Sequence, residues 1–245
     1  MSFSHIPLLQ IQRDLYDLPR TQVRFERYLE LMTQGTDEMV LPLSVTNPMG
    51  KAHVAQTLDA LLELDAEGIA AQAVEDAARR LEPRSGRQHA LVVADDTQGG
   101  WTDRYLTELT HRSDVQVKAM KRWTVTLLWT SEQVTSERVR EEVAAQLYRT
   151  YHQERSGAPR TLQEWLAQEG AALAFAGVEP WLEVDDLRYS SSVLQPYLES
   201  TKTPDIFACL YGDEAAVSVG YPALGLPVRA GFAVGLIAQR CETSL

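Results

Sequence analysis

Apolar residues recur at helical spacing over long stretches of the chain and gather into short unbroken runs at a few places, and the two patterns alternate. Leu8, Leu9, Ile11 and Leu15, followed by Val23, Tyr28, Leu29 and Met32, predict two helices broken at Pro19 and ended by Gly35. Met39 to Val45 predicts a first strand, confined by Pro42 to an edge or a bulge. Val54, Leu58, Leu61 and Leu62 mark the next helix, and an alanine-rich helix over 69–81 closes on Arg79, Arg80 and Pro83. Ala90 to Ala94 has no polar residue, as expected of a strand buried on both faces. A helix over 104–110 and a short extended piece over 115–117 lead to Trp123 to Trp129, a strand by its β-branched and aromatic content.

Beyond it, Thr135 or Ser136 caps a helix carrying Val139, Val143, Leu147 and Tyr148 on one face, and Leu162, Trp165, Leu166 and Leu173 mark another. Residues 180–196 show no period and are expected to be irregular. The runs 206–211 and 215–219 flank Gly212-Asp213-Glu214, which has the composition of a hairpin turn, and 232–238 is apolar enough for a last strand. The expectation is α/β: one three-layer-like domain over 1–245, with helices over 1–35, β-loop-α units over 36–176, and an irregular segment plus strands over 177–245. Its sheet is mixed, parallel in the middle and antiparallel near the C-terminus.

Composition narrows the function classes. A chain of 245 residues buries roughly 70 % of its unfolded surface, so a core forms without disulfides or metals. Cys209 and Cys241 stand too far apart for a disulfide framework or a zinc site. No apolar run approaches the ~18 residues of a membrane span, and the N-terminus lacks the basic, apolar and small-residue regions of a secretory signal, so a cytoplasmic protein without membrane contact is expected. The formal charge of -11 repels phosphate backbones and argues against nucleic acid. The short basic cluster from Lys118 to Arg122 fits a solvated strand edge. Asn47 is the only asparagine and Lys51 one of only four lysines, so both stand out from their background.

Two loops carry candidate chemistry. In open α/β sheets ligands sit beyond the carboxyl ends of the strands, which is where Asp95 and Asp96 fall, followed by Thr97, Gly99, Gly100 and Trp101. Such carboxylates can hold Mg²⁺ or another divalent metal, or accept a proton; the competing reading is that Asp95 caps the turn. Asn47, Gly50, Lys51 and His53 form the second loop, at a helix N-terminus whose amides and dipole suit an anion. Val45 and Ala52 exclude a Walker A loop, because the first glycine and the metal-binding hydroxyl are missing. The leading expectation is a site for a small phosphorylated or carboxylated molecule between the loops, with Asp95, Asp96 and His53 as acid–base or metal groups. The alternative is a non-catalytic module that forms a homodimer or binds a protein through Tyr189, Tyr197, Tyr211 and Tyr221.

Overall fold

The computed structural model describes residues 3–36, 38–82, 86–97, 102–113 and 122–243. Mixed helix and strand is the observed class, but 60 % of the chain is helical and the sheet has three strands. The chain divides into two compact units, 1–107 with 115–147, and 108–114 with 148–245.

The sheet lies in the first unit. Its strands β1 (Ser4–His5), β2 (Gln88–Ala94) and β3 (Trp123–Trp129) run parallel in that order, with His5 opposite His89 and Ala94 opposite Trp129. All but the first residue of β2 and of β3 are buried, which is why both read as unbroken apolar runs. Leu8 and Leu15 of α1 (Leu9–Leu15) and its approach, and Tyr28 of α2 (Gln22–Thr33), pack with Leu43 on Ala90, Val92, Ala94, Val125, Leu127 and Trp129. These alternate positions share one face of the sheet. Two further helices, α3 (Ala52–Glu63) and α4 (Ala66–Leu81), precede β2, while α5 (Arg104–Arg112) and α6 (Ser136–Ser156) are each divided between the units.

The predicted strand over 39–45 is absent. Val40 and Leu41 donate their N–H groups to Met32 O, and Leu43 O accepts from Tyr28 Oη at 3.1 Å, so the segment wraps the end of α2 as an irregular cover. The edge position belongs to β1, which pairs over two residues only. Past it, the fully buried Gln12 continues the ladder from α1: its Nε2 donates to Leu91 O at 3.1 Å and its Oε1 accepts Val93 N at 2.9 Å. A side-chain amide has the donor and acceptor of a peptide, so it satisfies the exposed edge of β2 as another residue of β1 would.

The second unit is helical among its described residues. Beyond the end of α6 it contains α7 (Leu162–Ala176), α8 (Val184–Leu194), a 3₁₀ turn (Gln195–Tyr197), α9 (Thr203–Tyr211), α10 (Asp213–Ser218) and α11 (Ala230–Thr243). The expected antiparallel strands over 206–211, 215–219 and 232–238 are therefore helices, and the expected irregular stretch 180–196 holds α8. The helices α7 and α11 cross in backbone contact: a Cβ on Gly170 would collide with Gly235 O, and one on Gly235 would lie 2.5 Å from Leu166 O. Gly231 meets Cys209 O of α9 as closely. Small residues on α11 thus permit its first two turns to be buried on nearly every side, and its continuous apolar run reads as a strand until the glycines are assigned to helix crossings.

A polar cluster is buried in this unit. Glu169, fully buried, accepts from Arg149 Nε at 3.0 Å, Arg112 Nη1 at 2.9 Å and Gln168 Nε2 at 3.1 Å. Arg112 Nη2 lies 3.1 Å from Glu108 Oε2, and the guanidinium groups of Arg112 and Arg229 lie 4.9 and 4.7 Å from the ring centre of Phe232. Burial works to raise the Glu169 carboxyl, but Arg149 and Arg112 outweigh it and hold the group below its ordinary value.

Candidate functional site

Asp95 leaves β2 at its carboxyl end and is 2 % exposed. Its Oδ1 accepts from His53 Nε2 at 2.7 Å, Thr130 Oγ1 at 3.2 Å and Thr97 N at 3.3 Å, and its Oδ2 from Asn47 Nδ2 at 3.0 Å. The two sequence loops therefore do meet, and Asp95 is the joint. Asn47 is held on every side: its Oδ1 accepts Met49 N at 3.1 Å and its carbonyl accepts Tyr16 Oη at 2.6 Å. Burial, then the nearby Asp95 charge, pushes the Tyr16 phenol upward, so it stays a donor. His53 turns Nε2 to Asp95, and its Nδ1 is a buried atom with no hydrogen-bond partner among the described residues.

Asp96 turns to different partners. Its Oδ2 accepts from Ser131 Oγ at 2.6 Å and lies 3.5 Å from Arg104 Nη1, while its Oδ1 accepts from Ser131 N at 3.0 Å and Thr130 Oγ1 at 3.1 Å. Adjacent residues leaving a strand point apart, so the two carboxylates share Thr130 and nothing else. Each of their oxygens already faces protein donors. Among the described residues no group of three metal-ligating side chains forms.

Gly50 and Lys51 belong to a second feature, a cavity of about 360 Å³ lined by Arg13, Tyr16, Arg20, Arg24, Gly50, Lys51 and the first turn of α3 at Ala52 and Ala55. Three arginines and a lysine converge there. The charge of Arg13 is answered by Asp59 at 2.5 Å and Asp17 at 2.7 Å. Arg20 and Arg24 have no carboxylate partner among the described residues: Arg20 Nε donates to Met49 O at 2.8 Å, and the buried Arg24 spends its donors on the carbonyls of Tyr16, Leu18, Pro48 and Gly50. Burial lowers the Arg24 guanidinium, Tyr16 opposes this and Arg20 adds to it; an arginine remains charged nonetheless. No side chain caps α3, and the N–H groups of Ala52 and His53 have no acceptor among the described residues. The wall is tight at Gly50, where a Cβ would stand 2.8 Å from Val54 Cγ2 and 3.1 Å from Asn47 O.

Of the residues singled out in the sequence, the structure thus joins Asn47, His53, Asp95 and Thr97 in one hydrogen-bonded cluster, places Gly50 and Lys51 in the cationic cavity, and sends Asp96 to Ser131 and Arg104. Gly99, Gly100 and Trp101 lie outside the described residues, as do 115–117 and Lys118. Tyr211, expected in an association face, is fully buried, whereas Tyr189 is 51 % exposed. The sequence reading missed Tyr16, Arg20, Arg24 and Thr130. The pair Arg20 and Arg24, four apart across the start of α2, was the signal available for the first of these elements. Among the described residues no helix is long and apolar enough to cross a membrane. Compared with protein families, with curated proteins and with solved structures, the chain has no match.

Proposed function

We propose that the first unit binds a small anionic molecule, phosphorylated or carboxylated, in the cationic cavity beside the N-terminus of α3. One observation carries this reading: Arg20 and Arg24 bring two charges, without carboxylate partners among the described residues, to the cavity that the uncapped end of α3 also faces. In a chain of net charge -11, uncompensated cations gathered in one concavity are the natural seat for an anion, and helix amides add oriented donors. Arginine forks suit the planar or tetrahedral oxygens of both groups. The Asp95–Asn47 bond holds the loop that forms the cavity wall, and His53, bonded to Asp95, follows the lining residue Ala52 in the first turn of α3.

Isothermal titration with inorganic phosphate, acetate and small phosphate monoesters tests the reading. Binding is expected to weaken about tenfold or more in Arg20→Gln combined with Lys51→Gln, since each charge-assisted bond contributes about 1.5–3 kcal/mol, and to fall with added salt. Equal affinity in the variant, or no heat with any of these anions, refutes it.

A second reading is self-association through the second unit, supported by Trp181, Val184, Tyr189, Val217 and Val228, which are large apolar residues 41–67 % exposed. Light scattering at micromolar concentration tests it, and a monomer refutes it.

A further inference from the structure

The first unit holds a line of four polar side chains that the anion site does not use, buried at His89 and Thr126 and partly buried at His5 and Glu67. Glu67 of α4 accepts from His5 Nε2 at 2.6 Å, His5 Nδ1 lies 2.9 Å from His89 Nδ1, and His89 Nε2 lies 2.9 Å from Thr126 Oγ1. His89 is wholly buried, and the other oxygen of Glu67 accepts the N–H groups of Leu8 and Leu9 at 2.8 and 2.7 Å, where α1 begins. The line thus crosses all three strands and ends on the helix that presents Arg13 to the cavity. The groups facing the histidines are Glu67 from α4, Thr126 from β3 and, from α1, only backbone amides. Apart from His89, β2 and β3 have no ionisable residue.

We propose that His5 and His89 share one added proton and act as a pH-sensitive latch on β1 and the start of α1. Two nitrogens 2.9 Å apart can hold one hydrogen between them but not two. With no added proton, Thr126 Oγ–H donates to His89 Nε2, His89 Nδ1–H donates to His5 Nδ1, and His5 Nε2–H donates to Glu67. When a proton enters, His5 carries both of its ring hydrogens, its Nδ1–H donates to His89 Nδ1, and His89 Nε2–H donates to Thr126 Oγ1. Every heavy atom keeps its place and every bond reverses or survives, and the Glu67 carboxylate balances the charge. A second proton would set two N–H donors and two positive charges face to face. Burial and the neighbouring His5 both hold His89 below its ordinary value, which agrees with refusal of that second proton. Its entry must separate β1 from β2, breaking the bonds from Ser4 N to Arg87 O and from Ile6 N to His89 O.

Nitrogen-15 NMR of the histidine rings in the full chain, with amide hydrogen exchange at Ile6, Leu8 and Leu9, tests the latch between pH 8 and 4. The two rings are expected to titrate together with uptake of one proton and unchanged amide protection, followed at lower pH by a joint rise in exchange at the three amides. Thr126→Val removes the partner of His89 Nε2 in both protonation states, and Glu67→Gln removes the balancing charge, its one oxygen serving either His5 or the Leu8 and Leu9 amides. In Glu67→Gln the midpoint is expected to move to lower pH, and in both variants exchange at Ile6 is expected to be faster by about tenfold or more for the buried group left unpaired. Independent titration of the two rings, or a midpoint unmoved in Glu67→Gln, overturns the proposal.

Discussion

Asp95→Asn is the substitution whose effect the structure determines most fully. The carboxylate accepts four donors, His53 Nε2, Asn47 Nδ2, Thr130 Oγ1 and Thr97 N, at 2.7 to 3.3 Å and at 2 % exposure. A carboxamide of the same shape has one acceptor oxygen and an NH₂. If the oxygen keeps His53, Thr130 and Thr97, the NH₂ meets the NH₂ of Asn47, which cannot turn because its Oδ1 is engaged by Met49 N at 3.1 Å. If the oxygen is given to Asn47 instead, the NH₂ faces the other three. One buried donor is stranded either way, at about 1–3 kcal/mol, and the loss of charge-assisted bonds brings the total to about 2–4 kcal/mol. For a chain of this size that lowers the melting temperature by about 4–16 °C. Calorimetry at pH 7 of Asp95→Asn, Asn47→Ala and the double variant is the assay. The double variant is expected to lose less than the sum of the two, because both break one bond. A melting temperature within about 1 °C of wild type for Asp95→Asn would refute the view that Asp95 joins the two loops.

In the second unit, Glu169→Leu takes from the buried Arg112 and Arg149 the carboxylate they share, leaving Glu108 beside Arg112, and is expected to destabilise by about 3–5 kcal/mol in urea unfolding. Because the folded carboxyl of Glu169 sits below its ordinary value, its contribution is present above the usual carboxylate range and is lost as pH falls through that lowered value; the stabilities of wild type and Glu169→Gln should converge only once the pH is below it. Gly170→Ala forces a methyl against the Gly235 backbone and should cost about 1–3 kcal/mol, whereas Gly177→Ala, where nothing lies within 4 Å, should lose only the ease of its positive φ. Burial, with Asp205 behind it, pushes the Cys209 thiol up to about 12, while Cys241 is exposed, so a thiol reagent at neutral pH should modify one cysteine of the native protein and two after denaturation.

Much of the first unit could be read from local pattern. The helices around Pro19, the stripe over α3, the two buried strands and the capped start of α6 all declare themselves through periodicity, because each has neighbours close in sequence that decide its conformation. Asp95 at a strand end and Asn47 and Lys51 at a helix start were legible for the same reason. The runs 206–211, 215–219 and 232–238 were not. A short apolar run suits a buried strand or a buried helix equally, and the choice fell to Gly170, Gly231 and Gly235, whose value lies in backbone contacts between helices far apart in the chain.

The sequence by itself determined where the buried strands and the amphipathic helices lie, and which loops hold unusual polar residues, since those depend on side chains a few positions apart. Only the tertiary structure decided that Gln12 stands in for a strand, that Arg20 and Arg24 face Lys51, that Asp95 saturates its oxygens on Asn47, His53, Thr97 and Thr130, and that His5 meets His89. Apart from Asp95 with Thr97, each of those pairings joins residues separated by tens of positions, and a hydrogen bond or an uncompensated charge exists only once folding has set the distance between them.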